Sequence, residues 1–363
     1  MNEKDSLEKR AQMKPELTTR EDDPYNAEPH PFHLGSSFLT PVEQFYVRNH
    51  GDMPVVKEEN FRLEIGGLAG PDVRLTLEDL RREYPQVTTV ATLQCAGNRR
   101  TEFDTFQGTP WQSCALGTAS WHGVLLKSVL GHRTIEAQNP HLIMTGGDTT
   151  EMNSKSIPYE CSVPLELAFR HGALLAWEMN GEPLTTEHGH PLRMIIPGLI
   201  AARSVKWLTS IRLSEQATTN PHFTEAYKIA PLETESADWH ELPPISVFQL
   251  SSVICTPTNR DNLKPGDQIL RGYAVPRGDT DVVIARVEVR VDDQPWRPAE
   301  IVSEPKPFCW CLWESTVSME EGRHRIAVRA WDTTGRLQEE NPNPNTKGYR
   351  YSGWHTVQVE VSS

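Results

Sequence analysis

Long apolar runs are missing from this sequence. No stretch of ~18 consecutive apolar residues occurs, so nothing in the 363 residues reads as a membrane span. Cysteine is scarce as well: six thiols, at positions 95, 114, 161, 255, 309 and 311, are spread thinly along the chain. That spacing excludes the disulfide framework of a small secreted domain. The segment "MNEKDSLEKRAQMKPELTTREDDPYNAEPHP" holds no apolar stretch and no twin-arginine pair, so no export signal is read and a cytoplasmic location is expected. Positive charge is also in deficit, with 36 Lys and Arg against 49 Asp and Glu for a net −13 at pH 7. Nucleic acid and an anionic membrane surface both call for basic faces and are excluded as partners. A small anion in a locally basic pocket is not.

What is present suffices for about two domains, since a single core seldom grows beyond ~250–300 residues. Residues 1–30, acidic and proline-bearing, read as a flexible arm. Residues 31–228 mix helix and strand patterns: "FRLEIGGL" as a strand, "TLEDLRREY" as a helix capped by Thr76, "WHGVLLKSVL" and "PLELAFRHG" as helices, "ALLAWEMNGEPL" as a strand and hairpin around Asn180-Gly181. This predicts an α+β domain with a mixed sheet. The Pro- and acid-rich residues 229–244 read as a connection. From 245 to 363 short alternating strands take over, and in "VVIARVEVRV" Val283, Ala285, Val287, Val289 and Val291 share one face. An all-β sandwich of immunoglobulin type is expected there, with Trp296, Trp313, Trp331 and the pair Cys309 and Cys311 in its core.

Several loops concentrate chemistry. In "TLQCAGNRR" a β-branched, apolar strand delivers Cys95 to its end, a Gly97-Asn98 turn follows, and Arg99 and Arg100 come next. A lone strand cysteine is most simply a small buried hydrophobe. The adjacent cations instead favour a thiolate, which is either a nucleophile or a ligand for a soft metal. "FYVRNHG" brings Arg48 and His50 to a loop, and "TEHGHPLRMIIPG" brings His188 and Arg193 to another. "ARSVKWL" adds Arg203, Ser204 and Lys206. Each alone is an ordinary solvated loop; together they resemble an anion cradle.

The strings "FYVRNH", "ATLQCAGNRR", "WEMNGEPL", "EHGHPLRMIIPG", "ARSVKWL" and "EAYKIAP", in this order, resemble the sulfite oxidase family of molybdenum enzymes, which includes the molybdenum domain of assimilatory nitrate reductases. The β region with "RIAVRAWD" and "GWHTV" resembles that family's dimerisation domain. The resemblance implies a molybdenum-molybdopterin (pyranopterin dithiolene) cofactor with Cys95 as the protein's ligand to the metal. It implies that Tyr46, Val47, Arg48, Asn49, His50, Asp148, His188, Arg193, Ser204, Val205 and Lys206 hold the cofactor. It places Arg48, Arg100, Trp111, Tyr227 and Lys347 in the substrate pocket. The family's sulfite oxidases carry an arginine where Lys347 stands, and Arg350 lies three residues on. No haem segment is evident, so electrons are expected to pass to oxygen or to a separate redox carrier. Sulfite is the expected substrate and a homodimer through the C-terminal domain the expected assembly. Reduction of nitrate or an organic oxide at the same metal, or cofactor binding without turnover, are the alternatives.

Overall fold

The computed structural model describes residues 14–131, 137–152, 155–230, 238–239 and 241–363. The first 13 residues of the expected arm and half of the expected 229–244 connection lie outside this range. Two five-stranded sheets build the first domain. One runs Glu182–Pro183, Leu174–Met179, Leu116–Leu125, Gln86–Gln94, with Arg193–Ile195 also paired to Leu174–Met179. The other runs Val73–Leu75, Leu63–Gly67, Leu208–Ser214, His141–Met152, Lys155–Pro164, and its Leu208–Ser214 pairs parallel to Leu63–Gly67 while the rest is antiparallel. The helix Leu77–Glu83 starts at Thr76 as expected. Thr76 Oγ1 accepts from the Asp79 N–H at 3.0 Å and Asp79 Oδ2 accepts from the Thr76 N–H at 2.9 Å, a complete capping box.

Three local expectations are overturned. The "WHGVLLKSVL" segment is helical only over Leu126–Leu130; Trp121 to Leu125 end the strand Leu116–Leu125. Strand pairing decides this apolar run, and Gly123 permits it: a Cβ there would lie 1.9 Å from the Leu175 carbonyl oxygen. In the strand Ile284–Val291 a bulge between Ile284 and Arg286 reverses the parity. Ile284 is therefore buried and Ala285 exposed, while Val287, Val289 and Val291 keep the inward face. Trp313 lies in the sandwich core as expected, but Trp296 and Trp331 do not. They are half-exposed, Trp296 beneath the Arg290 and Arg329 guanidiniums and Trp331 beneath Arg286, each at 4.2–4.8 Å from the ring centroid.

The second domain is the expected β-sandwich. Its strand order is Ser251–Thr256, Gly266–Val275, Cys311–Met319, Arg297–Ile301, Ile284–Val291, Gly322–Asp332, His355–Val361, Asn262–Leu263. Arg297–Ile301 pairs with a strand of each half and so joins them. The buried faces between contribute Leu250, Leu270, Val287, Trp313, Val328 and Val359.

Residues 14–30 are not a flexible arm. Leu17–Glu21 and Asn26–Pro29 form a hairpin, and Ala27 and Val47 exchange backbone hydrogen bonds of 3.0 and 2.8 Å. Glu28, fully buried, accepts from Arg20 Nε at 2.6 Å and from the Gln112 and Cys114 N–H groups at 2.7 and 2.9 Å. The acidic composition that suggests disorder here is partly a carboxylate with defined donors.

The two domains meet at the end of the strand Gln86–Gln94. Thr92 N–H donates to the Phe308 carbonyl, Thr92 Oγ1 accepts from Trp310 N–H, and Arg350 N–H donates to the Ala96 carbonyl, at 2.7–2.9 Å. Arg99 is the central tie. Completely buried, it forks onto both Glu102 carboxylate oxygens at 2.7 Å and donates to Ser251 Oγ at 3.0 Å and the Gly353 carbonyl at 2.7 Å. Arg99→Ala strands Glu102 and those acceptors. Breaking a fully buried pair costs roughly 3–5 kcal/mol. With the Glu102 side chain 27% exposed, denaturant unfolding is expected to show a loss of about 2–4 kcal/mol; a change under ~0.5 kcal/mol, the range of ordinary surface substitutions, would contradict the role assigned to this tie.

Candidate active site

Cys95 sits where two cavities meet. The inner cavity, with about 650 Å³ of empty space, is lined by Tyr46, Asp148, His188, Arg193, Ser204, Val205 and Lys206 among others. The outer one, about 1190 Å³, is lined by Arg100, Thr109, His222, Lys347 and Tyr349 among others. Arg48, His50, Cys95 and Tyr227 line both. The Gly97 N–H points at Cys95 Sγ from 3.5 Å. A Cβ at Gly97 would lie 2.5–2.6 Å from the Arg100 guanidinium, so a larger residue there would displace that group. That guanidinium donates to the Thr109 and Gly348 carbonyls at 2.9 and 3.3 Å and lies 5.0 Å over the Tyr349 ring.

The two adjacent arginines part company because Arg99 takes a left-handed conformation, φ 65°. Arg100 turns into the outer cavity and Arg99 into the domain boundary, so Arg99 does not act on the Cys95 sulfur as the sequence suggested. Lys347 and Arg350 are separated in the same way. Lys347 reaches the outer cavity, where Nζ donates to the Glu225 carbonyl and lies 3.8 Å from the Trp239 ring centroid. Arg350 turns to Arg277, Arg336 and Asp279, away from the pocket. Three further expected residues, Val47, Trp111 and Asn49, do not line either cavity. Val47 is core, tied by its backbone to Ala27. Trp111 packs behind Tyr46 at 6.3 Å between centroids, fully buried, with no partner for its indole N–H among the described residues. Asn49 is also behind the wall, where it joins Lys206 Nζ to the hairpin: its N–H donates to Asn26 Oδ1 at 2.7 Å and its Nδ2 to the Tyr25 carbonyl at 2.8 Å.

The inner wall is a set of buried cations without equal counter-charge. Arg193 donates only to the His188 and Ser204 carbonyls, at 2.9 and 3.3 Å, and its Nε has no partner among the described residues. Lys206 donates to the Glu187 carbonyl at 2.9 Å and to Asn49 Oδ1. Burial lowers both, Arg193 to about 10 and Lys206 well below the usual lysine range. Asp148 is pushed up to about 6 by burial, against the pull of Lys206. Cations desolvated in this way cost stability unless an anion joins them.

Around Tyr227 the sequence left several residues unnoticed. His50 Nε2 is 2.6 Å from the Tyr227 hydroxyl, and the His50 ring stacks on Tyr159 at 4.5 Å and meets His222 edge-on at 5.2 Å. Tyr349 stacks on Tyr227 at 5.5 Å. Nothing in "SIPYECSVP" marks Tyr159, whereas Tyr349 could have been sought beside Lys347.

The fold and these cavities define a molybdopterin-binding oxidoreductase. Residues 50–222 match the oxidoreductase molybdopterin binding domain and residues 243–362 the Mo-co oxidoreductase dimerisation domain. Sulfite oxidase of Gallus gallus is 34% identical over 94% of this chain and 77% of its own length. That of Arabidopsis thaliana is 34% identical over 96% and 94%. Nitrate reductase [NADH] 2 of Phaseolus vulgaris is 34% identical over 93% of this chain, which spans 41% of that protein. The sulfane dehydrogenase SoxCD of Paracoccus pantotrophus shares the fold, with TM-score 0.80 at 24% identity over 93% of this chain and 87% of the other. The chain belongs to the sulfite oxidase family, and its cofactor is molybdenum-molybdopterin.

Burial holds His50, His188 and His222 below the usual histidine range, His222 at about 4. A histidine depressed in the folded state is protonated first in the unfolded one, so stability is highest above the unfolded value of 6.5 and falls as pH drops toward 4. Half-buried His324, raised by its hydrogen bond to Asp292, and Asp148, raised to about 6 by burial, run the opposite way and offset part of this loss. Urea unfolding of the cofactor-free protein should show stability declining between pH 6.5 and pH 4, by up to about 1.4 kcal/mol per pH unit per histidine, and His222→Gln should make the decline shallower. An unchanged slope would contradict the neutral state assigned to His222.

Proposed function

We propose that the chain oxidises sulfite to sulfate, with Cys95 Sγ as the protein's ligand to molybdenum. The observation that carries this reading is the position of Cys95 at the junction of a deep cationic cavity and an open one, with Arg48, His50 and Tyr227 shared by both. The residues fit the cofactor: Arg193, with its unpartnered Nε, and Lys206 suit an anionic group. Asp148 and Ser204 add polar contacts for a pterin, and Tyr46 and Val205 supply apolar walls. The bound cofactor supplies oxygen-atom and two-electron transfer.

The protein's share is binding and proton control. Arg48, Arg100 and Lys347 present three cations toward the outer cavity, suited to a doubly charged oxyanion. Burial raises the Tyr227 phenol and lowers the His50 imidazole, so Tyr227 remains protonated and His50 neutral. Their hydrogen bond fixes the phenol beside the reacting position, where it can donate to a substrate oxygen. Net conversion of sulfite and water to sulfate releases two protons and two electrons, the electrons passing to oxygen or a separate carrier. Six free, buried thiols suit a reducing, cytoplasmic setting, and the matched dimerisation domain supports a homodimer through residues 245–363.

Anaerobic addition of stoichiometric sulfite to the oxidised, molybdenum-loaded protein should bleach its sulfur-to-molybdenum charge-transfer absorption, and an electron acceptor should restore it. An unchanged band at full molybdenum content, with bleaching absent, would exclude sulfite and turn attention to nitrate or an organic oxide. Lys347→Arg replaces a point charge by a fork and should lower KM for sulfite by roughly 5–10-fold; an equal or higher KM would remove Lys347 from the pocket.

A further inference from the structure

The N-terminal hairpin delivers a cation that the sequence placed in a flexible arm. Lys14 Nζ lies 2.7 Å from His188 Nε2 and 3.1 Å from Glu187 Oε1, and it also donates to the Val42 carbonyl. Its backbone is held at the same time, with the Lys14 N–H donating to the Tyr25 hydroxyl at 3.0 Å and its carbonyl accepting from Leu17 N–H at 3.1 Å. Only 11% of the side chain is exposed.

Lys14 thus approaches from outside the same His188 that lines the inner cavity, next to Arg193 and Lys206. Three cations, Arg48, Arg193 and Lys206, line this cavity against the two carboxylates Asp148 and Glu187, and Lys14 stands behind His188 as a fourth. The excess of two positive charges matches a phosphate monoester, the anionic end of molybdopterin, which carries nearly two negative charges at pH 7. The hairpin and the cradle are also built as one unit, because Asn49 bonds Asn26 and Tyr25 on one side and Lys206 on the other.

We propose that Lys14 is a cofactor-retaining residue: the N-terminal hairpin straps it behind the His188 edge of the inner cavity, where it fixes His188 and adds its charge to that of Arg193 and Lys206 in holding the phosphate end of molybdopterin. This rests on the molybdopterin reading above. It explains why a lysine is desolvated at this point and why an acidic, proline-bearing segment is ordered against the body. Burial lowers the Lys14 ammonium below the usual lysine range despite its pairing with Glu187, a cost that a phosphate in the cavity offsets.

The test follows cofactor release from the purified holoprotein, measured as molybdenum and as pterin lost on dilution at elevated temperature. Lys14→Ala and the near-isosteric Lys14→Gln should release both about 10- to 100-fold faster, and Lys14→Arg should stay close to wild type. Melting of the cofactor-free neutral variants should drop through loss of the Glu187 pair, and the loaded variants should drop further still relative to loaded wild type. Wild-type release from Lys14→Ala, equally fast release from Lys14→Arg, or equal destabilisation of cofactor-free and loaded protein overturns the strap. A wild-type protein that carries neither molybdenum nor pterin overturns the underlying reading instead, and is seen before any variant is made.

Discussion

The left-handed turn at Arg99 directs two neighbouring guanidiniums in opposite directions, and the site depends on that divergence. Arg99 is locked into Glu102, Ser251 and Gly353, which fixes the turn from the side of the second domain. Arg100 is thereby aimed at the outer cavity and rests on Tyr349, a residue the second domain contributes. Cys95, four residues before Arg99, is held at the cavity junction by the same turn. The β-sandwich is therefore part of the site's architecture as well as an appendage of it: it supplies Lys347 and Tyr349 to the outer wall and backbone acceptors to the turn.

Uncompensated charge is the second constraint. A protein with a net charge of −13 still gathers Arg48, Arg193 and Lys206 around one buried volume, with histidines kept neutral by burial and by those cations. Two effects compete there. Desolvation weakens Arg193 and Lys206, and the cationic surroundings keep the histidines from adding more charge. The balance favours an anion inside the cavity over further protonation of its walls. The outer cavity repeats the logic at lower cost, because Arg100 has carbonyl acceptors and Lys347 has a carbonyl and an indole face.

How much of this was legible varies with the range of the interaction. The helix Leu77–Glu83, the Asn180-Gly181 hairpin and the Cys95-bearing strand were readable because capping, turn and β-branched signals act within a few residues. The helix expected across Trp121 to Leu125 failed because that apolar run fits either period, and pairing with Leu174–Met179 settled it. The parity of Ile284–Val291 failed at a single bulge. Trp296 and Trp331 were read as core from their size, yet arginine faces stabilise them half-exposed. The hairpin at 17–29 was read as disorder because the buried acceptor role of Glu28 depends on N–H groups more than 80 residues away.

The sequence by itself determined the inventory: a thiol at a strand end, the basic loops, a Gly that leaves room beside it, and the order of strings that marks the family. These are local choices, written in residue type and spacing. That Arg99 turns to the domain boundary and Arg350 to Arg277, Arg336 and Asp279, that Trp111 and Val47 stand behind the wall, and that Lys14 arrives at His188 were decided only by the tertiary structure. Each of those outcomes is set by backbone direction and by partners tens to hundreds of residues distant, and residue spacing along the chain carries no record of either.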